Sequence, residues 1–138
     1  MIVRAGQLMI DVIQSYGDDG KRYISWAADL ANKLDTGVPW IMCLSEGIKT
    51  VITTCNGFYC DNWIGPHSSE RQPAMFTELW SGWYQYWGDA RPTRPAEDVS
   101  FSVARFIVRG GTYVSYYMWH GGKCFIFIKR NQFRQKWR

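Results

Sequence analysis

The stretch PAMFTELWSGWYQYWG, residues 73–88, sets one carboxylate, Glu78, among six aromatic residues. An unpaired carboxylate in apolar surroundings costs several kcal/mol. Two readings follow. Glu78 is a solvated loop acid beside an ordinary core, or the site is a pocket that uses both the acid and the rings. Glycoside hydrolysis is chemistry of the second kind: a carboxylate meets the charge that develops at the anomeric carbon, while rings such as Trp80, Trp83, Tyr84, Tyr86 and Trp87 stack on the C–H faces of a sugar. The residue types alone leave both readings open.

The other reactive side chains are thinner material. Cys55 and Cys60, in CNGFYC, have a spacing that suits a disulfide clip, two metal ligands or a pair of reduced thiols. Zinc needs two further ligands, and Cys43, Cys124, His67 and His120 supply no second paired spacing, so no metal is expected. His120 precedes Gly121-Gly122 at an expected strand end, a position that suits either the rim of a pocket or a merely structural role. The GDDGK run at 17–21 lacks the length and the Ser/Thr of a phosphate-binding loop, and neither a GxGxxG nor a Gly-x-Ser-x-Gly turn occurs.

These residues must be positioned by a few elements. Ile24, Ala27, Ala28 and Ala31 recur at helical spacing, with Leu30 and Leu34 widening the stripe, and predict a helix over 21–33. Acids at 18 and 19 and Gly37 beyond the end suit its dipole and cap. Strands are expected over 38–43 and 51–55, a long loop over 56–72, and a third strand over 74–77 that delivers Glu78 at its end. Pro95, Glu97 and Asp98 then start a second helix with an apolar face of Val99, Val103, Phe106 and Ile107, closed by Gly110-Gly111. A last strand over 112–119 is dense in Tyr. This order predicts an α/β protein with a parallel sheet. At 138 residues the chain is too short for a closed eight-stranded barrel, which takes about 200 residues or more, but long enough for half of one.

With 8 Trp, 8 Tyr and 7 Phe and 46% apolar residues, the chain is neither disordered nor of low complexity. The net charge of +4 suggests nucleic acid, yet six basic residues and no acids fall between Lys123 and Arg138. That leaves ten basic against twelve acidic residues over 1–122, a body without a positive stripe, so no nucleic-acid partner is expected. No apolar run approaches the roughly 20 residues that span a bilayer, so no membrane association is expected. The N-terminal residues make a poor signal peptide.

Four blocks, GKRYISWAADLANKLDTGVPWIMC, TCNGFYCD, PAMFTELWSGWYQYWG and RPAEDVSFSVARFIVRGGTYVSYYMWHGG, resemble, in order, plant-type β-galactosidases of glycoside hydrolase family 35. The likeness runs from about residue 12 to 122. It implies a retaining enzyme on a TIM barrel that removes terminal β-linked galactose from glycans, in plants largely cell-wall polysaccharides and glycoproteins, in the apoplast or vacuole and without a cofactor. It implies that Glu78, in the Thr-Glu-x-Trp-Ser-Gly-Trp motif, is the nucleophile. Trp83 matches a sugar-proximal Trp, and Tyr117 a Tyr at the galactose site. Residues 38–119 would supply strands five to eight of the barrel, with the helix at Lys21 following strand four.

Three departures shape the expectation. The acid/base Glu of the family, in an Asn-Glu-Tyr-Gly-Asn run, belongs where this chain reads RAGQLMID, which holds no Glu; Asp11 is shorter and lies past the position. After Gly122 the sequence KCFIFIKRNQFRQKWR leaves the family pattern, giving a division into a barrel half, 1–122, and a basic non-family tail, 123–138. The first barrel half is not in the sequence. The expectation is therefore a truncated β-galactosidase carrying the nucleophile side of the site. The alternative is a catalytically inactive galactoside-binding remnant or the product of a pseudogene.

Overall fold

A computed structural model describes residues 3–5, 9–43, 45, 47–63, 72–83, 88–90 and 92–121, with side chains from residue 15 onward. The tail at 123–138, His67, Asp11 as a side chain, and Tyr84, Tyr86 and Trp87 lie outside the described residues. Five strands form one sheet in sequential order: β1 (Val3–Ala5), β2 (Trp40–Cys43), β3 (Ile52–Gly57), β4 (Ala74–Trp80) and β5 (Gly111–Tyr117). Every neighbouring pair is parallel. Helix α1 (Met9–Lys33) joins β1 to β2, and α2 (Ala96–Val108) joins β4 to β5. No helix among the described residues is long and apolar enough to cross a membrane.

The parallel α/β architecture follows the expected alternation, with differences that have local causes. β1 was not expected, since three residues carry no readable period. Helix α1 begins at Met9 rather than Lys21, because helical turns continue on both sides of Gly17, which itself sits at φ 53°, ψ −122°. Only a residue without Cβ takes that conformation cheaply, so Gly17 kinks the helix instead of ending it. Asp18 and Asp19 follow the kink and pair with Lys21 and Arg22 one turn on.

The apolar stripe of α1 is narrower than its sequence pattern. Ile24, Ala28 and Ala31 are buried, and Ile24 and Ala28 pack with Met42 and Val51, while Leu30 and Leu34 point outward. Likewise Ile107 of α2 is exposed, and the buried face is Ser102 and Phe106 with Val99 and Val103 at its margin. Phe106 stands edge-on to Phe76 of β4 at 5.5 Å between centroids. The two glycines after α2 do different work. Gly110 supplies φ 94°, whereas Gly111 supplies space: a Cβ there would lie 2.3 Å from the Phe106 ring.

The main core lies between α2 and the sheet: Cys55, Cys60, Ala74, Phe76, Leu79 and Phe106. Cys55 and Cys60 are joined by a disulfide within it. A 3-10 turn over Cys60–Asn62 is tied to α2 by Asp61, which accepts from Ser102 Oγ at 3.1 Å and pairs with Arg105 at 3.2 Å.

Candidate active site

β4 is the element that carries Glu78, and it extends three residues beyond the expected end at Thr77. Glu78 therefore lies inside the strand rather than after it. It is 1% exposed, so it is not a solvated loop acid.

A plain strand would place Phe76 and Glu78 on the same face, because side chains alternate. Here they do not share it. Phe76 and Leu79 both pack into the core against Phe106, although they are three residues apart. The strand register gives the reason. Between Phe76 and Glu78, β4 advances two residues while β3 advances one, from Cys55 to Asn56. Between Phe76 and Leu79 it advances three while β5 advances two, from Val114 to Tyr116. β4 thus holds one extra residue against both neighbours, a β-bulge at Thr77-Glu78. Bulges of this kind re-aim a side chain, and this one turns Glu78 with Thr77 to the face opposite the helix.

That face is polar. Thr54 and Asn56 flank Cys55 on β3 and so take the side away from the core. The Thr77 hydroxyl lies 2.8 Å from Thr54 Oγ1 and 2.7 Å from Asn56 Oδ1. All four of Thr54, Asn56, Thr77 and Glu78 are buried. Among the described residues the hydroxyl network leaves a donor over: Asn56 Nδ2 is buried with no hydrogen-bond partner there, an arrangement that costs about 1–3 kcal/mol.

Glu78 Oε2 accepts a hydrogen bond from Trp80 Nε1 at 3.0 Å. Trp80 is also the hub of the surrounding rings. Its ring lies 4.9 Å from Trp83 and 5.3 Å, edge-on, from Phe58. Its register partner on β5 is Tyr117. The three residues singled out in the sequence, Glu78, Trp83 and Tyr117, are thus each one step from Trp80. Trp83 and Tyr117 are about half exposed and stand at the C-terminal ends of the strands, the end where parallel βα barrels carry their chemistry. His120, just beyond, is exposed.

Arg94 fixes Trp80 from behind. Its side chain is 5% exposed and donates from Nη1 to the Trp80 carbonyl at 2.7 Å. From Nε it donates to Asp98 Oδ2 at 2.6 Å. The guanidinium stacks over Tyr59 at 4.7 Å, whose hydroxyl donates to the same Asp98 oxygen at 3.1 Å. The Arg94 hydrogen bond, with a smaller contribution from Tyr59, holds the Asp98 carboxyl below its ordinary value. One arginine therefore ties β4, α2 and the segment after β3 together at the carbonyl two residues from Glu78.

Sequence reasoning did not single out Asn56, Thr77 or Arg94. For Asn56 the sequence held no signal: the strand is expected to end at Cys55, an Asn at the head of a loop is ordinary, and the structure runs β3 on to Gly57. Arg94 had only its i,i+4 spacing to Asp98, which reads as an exposed pair, since its other partners are set by the tertiary fold. The open cleft among Val38, Pro39, Lys49, Thr50 and Gln72 sits at the N-terminal ends of the strands, away from Glu78, and its lining has no acid. Among the described residues no three His, Cys, Asp or Glu side chains converge as metal ligands do.

Residues 7–137 match glycosyl hydrolases family 35, a span that takes in most of the basic stretch at 123–138. A protein from Oryza sativa subsp. japonica named beta-galactosidase 6 is 53% identical over 116 residues, covering 83% of this chain and 13% of that protein. Beta-galactosidase 8 of Arabidopsis thaliana is 51% identical over 116 residues, with the same coverage of each. Probable beta-galactosidase 2 of Dictyostelium discoideum is 47% identical over 114 residues, covering 81% of this chain and 15% of that protein. The chain therefore spans about a seventh of the length of these relatives.

Proposed function

The chain belongs to glycosyl hydrolases family 35, and from that premise we propose that it carries the nucleophile side of a retaining β-galactosidase site. Glu78 is the attacking group. In this reading β2 to β5 are strands five to eight of a TIM barrel and β1 is strand four; the sequential, all-parallel order of the sheet supports it. The observation that carries the reading is the bulge in β4, which lifts a carboxylate out of the core face and holds it on a polar face beside Trp80.

In the first step a Glu78 oxygen forms a bond to the anomeric carbon of a terminal β-galactosyl unit. The glycosidic C–O bond breaks, and the leaving oxygen keeps the electron pair and takes a proton from a second carboxylic acid. Water then cleaves the glycosyl ester and restores Glu78. Retaining chemistry places the two carboxyls about 5–5.5 Å apart. No Asn-Glu-Tyr-Gly-Asn run occurs in this sequence, so the described chain supplies the attacking group and not the proton donor. Proton donation is worth about 10²–10⁴-fold, and it matters least for a leaving group that is stable as an anion. Trp80 Nε1 orients the attacking carboxylate, and the half-exposed rings of Trp83 and Tyr117 receive the sugar.

The test is release of dinitrophenolate from its β-galactoside by the purified, folded chain. Slow release that Glu78→Gln abolishes supports the reading. Release at equal rate from the folded variant contradicts it. A second reading rests on Trp83 and Tyr117 alone: binding of galactosides without turnover, seen as galactose binding by a chain that releases no aryl group.

A further inference from the structure

The buried amide of Asn56 has an unanswered donor on the face that carries Glu78. Its Oδ1, which only accepts, takes the Thr77 hydroxyl proton at 2.7 Å. That contact fixes the amide plane and leaves Nδ2 with no partner among the described residues, though Asn56 is only 7% exposed. Its register partner across the sheet is Glu78, and neighbouring strands lie about 4.8 Å apart. A ligand whose reacting carbon met Glu78 would bring a neighbouring oxygen within reach of the amide. Among the described residues Thr77 has a second hydroxyl neighbour in Thr54 at 2.8 Å, and a strand position favours a β-branched residue over Asn. A buried donor left open is a cost to the free protein that a bound acceptor removes.

We propose that Asn56 is a ligand-binding residue, whose Nδ2 donates to a hydroxyl of the galactosyl unit held at Glu78. This rests on the galactoside reading above. Thr77, which orients the amide, is a positioning residue behind it. The contact is made by a neutral amide, so it contributes orientation and affinity and moves no proton.

The test uses the whole chain labelled with ¹⁵N-asparagine and ¹⁵N-tryptophan, which leaves the side-chain amides of Asn32, Asn56, Asn62 and Asn131 and eight indoles to resolve, titrated with galactose. The proposal expects the Asn56 side-chain amide signal to shift together with the indole N–H signals of Trp80 and Trp83. It also expects Asn56→Leu to weaken galactose binding about fivefold, the value of one neutral hydrogen bond. If the indoles respond while the Asn56 amide does not, or if a folded Asn56→Leu binds as the parent does, the proposal is overturned and the galactoside reading stands. If neither indoles nor amide respond at saturating galactose, the galactoside reading itself fails and the assignment of Asn56 falls with it. Should Asn56→Leu not fold, the titration of the unaltered chain decides alone.

Discussion

The two ends of the sheet are built from the same unit, a strand, a helix and a parallel strand, yet they are held differently. At the β1–α1–β2 end, among side chains described from residue 15 onward, the contacts include a small cluster around Ala28 and Met42, the Tyr23–Trp26 ring pair and two exposed ion pairs within α1. Tyr16, Tyr23, Trp26, Leu30 and Leu34 stay exposed along the helix. At the β3–β4–β5 end the larger core is joined by a disulfide, a buried arginine and an acid-to-helix tie. Every one of those ties ends within a few residues of Glu78 or of Asn56. The difference teaches that the precision of this fold is concentrated where one carboxylate must be aimed, and that elsewhere helical packing is enough.

Truncations and charge changes at the two ends should separate them. The largest effect is expected from Phe106→Ala, which empties the space between α2 and β4. Phe-to-Ala changes in cores cost about 3–5 kcal/mol, read as a fall in the denaturation midpoint. Replacing both Cys55 and Cys60 by Ser comes next. A closed loop this short, with a sequence separation of 5, is worth about 2 kcal/mol by loop-closure entropy, and the parent treated with reductant should match the variant.

Smaller still is the acid limb of stability. Asp98 has a lowered pKa in the folded chain because of Arg94. Its contribution is full above the ordinary value of 3.8 and fades as pH falls through the lower folded value. Asp98→Asn should therefore lose stability at neutral pH and lose less than the parent on acidification, measured by thermal unfolding at pH 7 and near pH 3. At the other end, Lys21→Ala and Leu34→Ala should shift stability by no more than about 0.5 kcal/mol. A large effect there, or a small one at Phe106, would erase the contrast.

The sequence showed the alternation of elements and the parallel class, and it brought Glu78, Trp83 and Tyr117 forward because they sit in long motifs. It did not show how Glu78 is aimed. Strand periodicity assigns Phe76 and Glu78 to one face, and only the register with both neighbouring strands reveals the extra residue between them. Helical periodicity marked Leu30, Leu34 and Ile107 as core because spacing reports a stripe and not the width of what covers it. The apolar stripe predicts a helix only from Lys21 and does not report the turns before Gly17, a glycine that bends the helix without ending it. Arg94 could be read only as an i,i+4 partner of Asp98, a spacing that looks like a solvated surface pair. Its other partners, Trp80 and Tyr59, are distant in sequence, and their closure over the arginine is set by the fold.

The most direct measurement is covalent trapping. A galactosyl donor with fluorine at C2 and dinitrophenolate as leaving group forms the glycosyl ester and then hydrolyses slowly. Incubation with the folded chain, digestion and mass spectrometry should find one 2-fluorogalactosyl group on the carboxylate of Glu78. No adduct on a folded chain that binds galactose, or an adduct on another acid with Glu78 unmodified, would contradict the assignment.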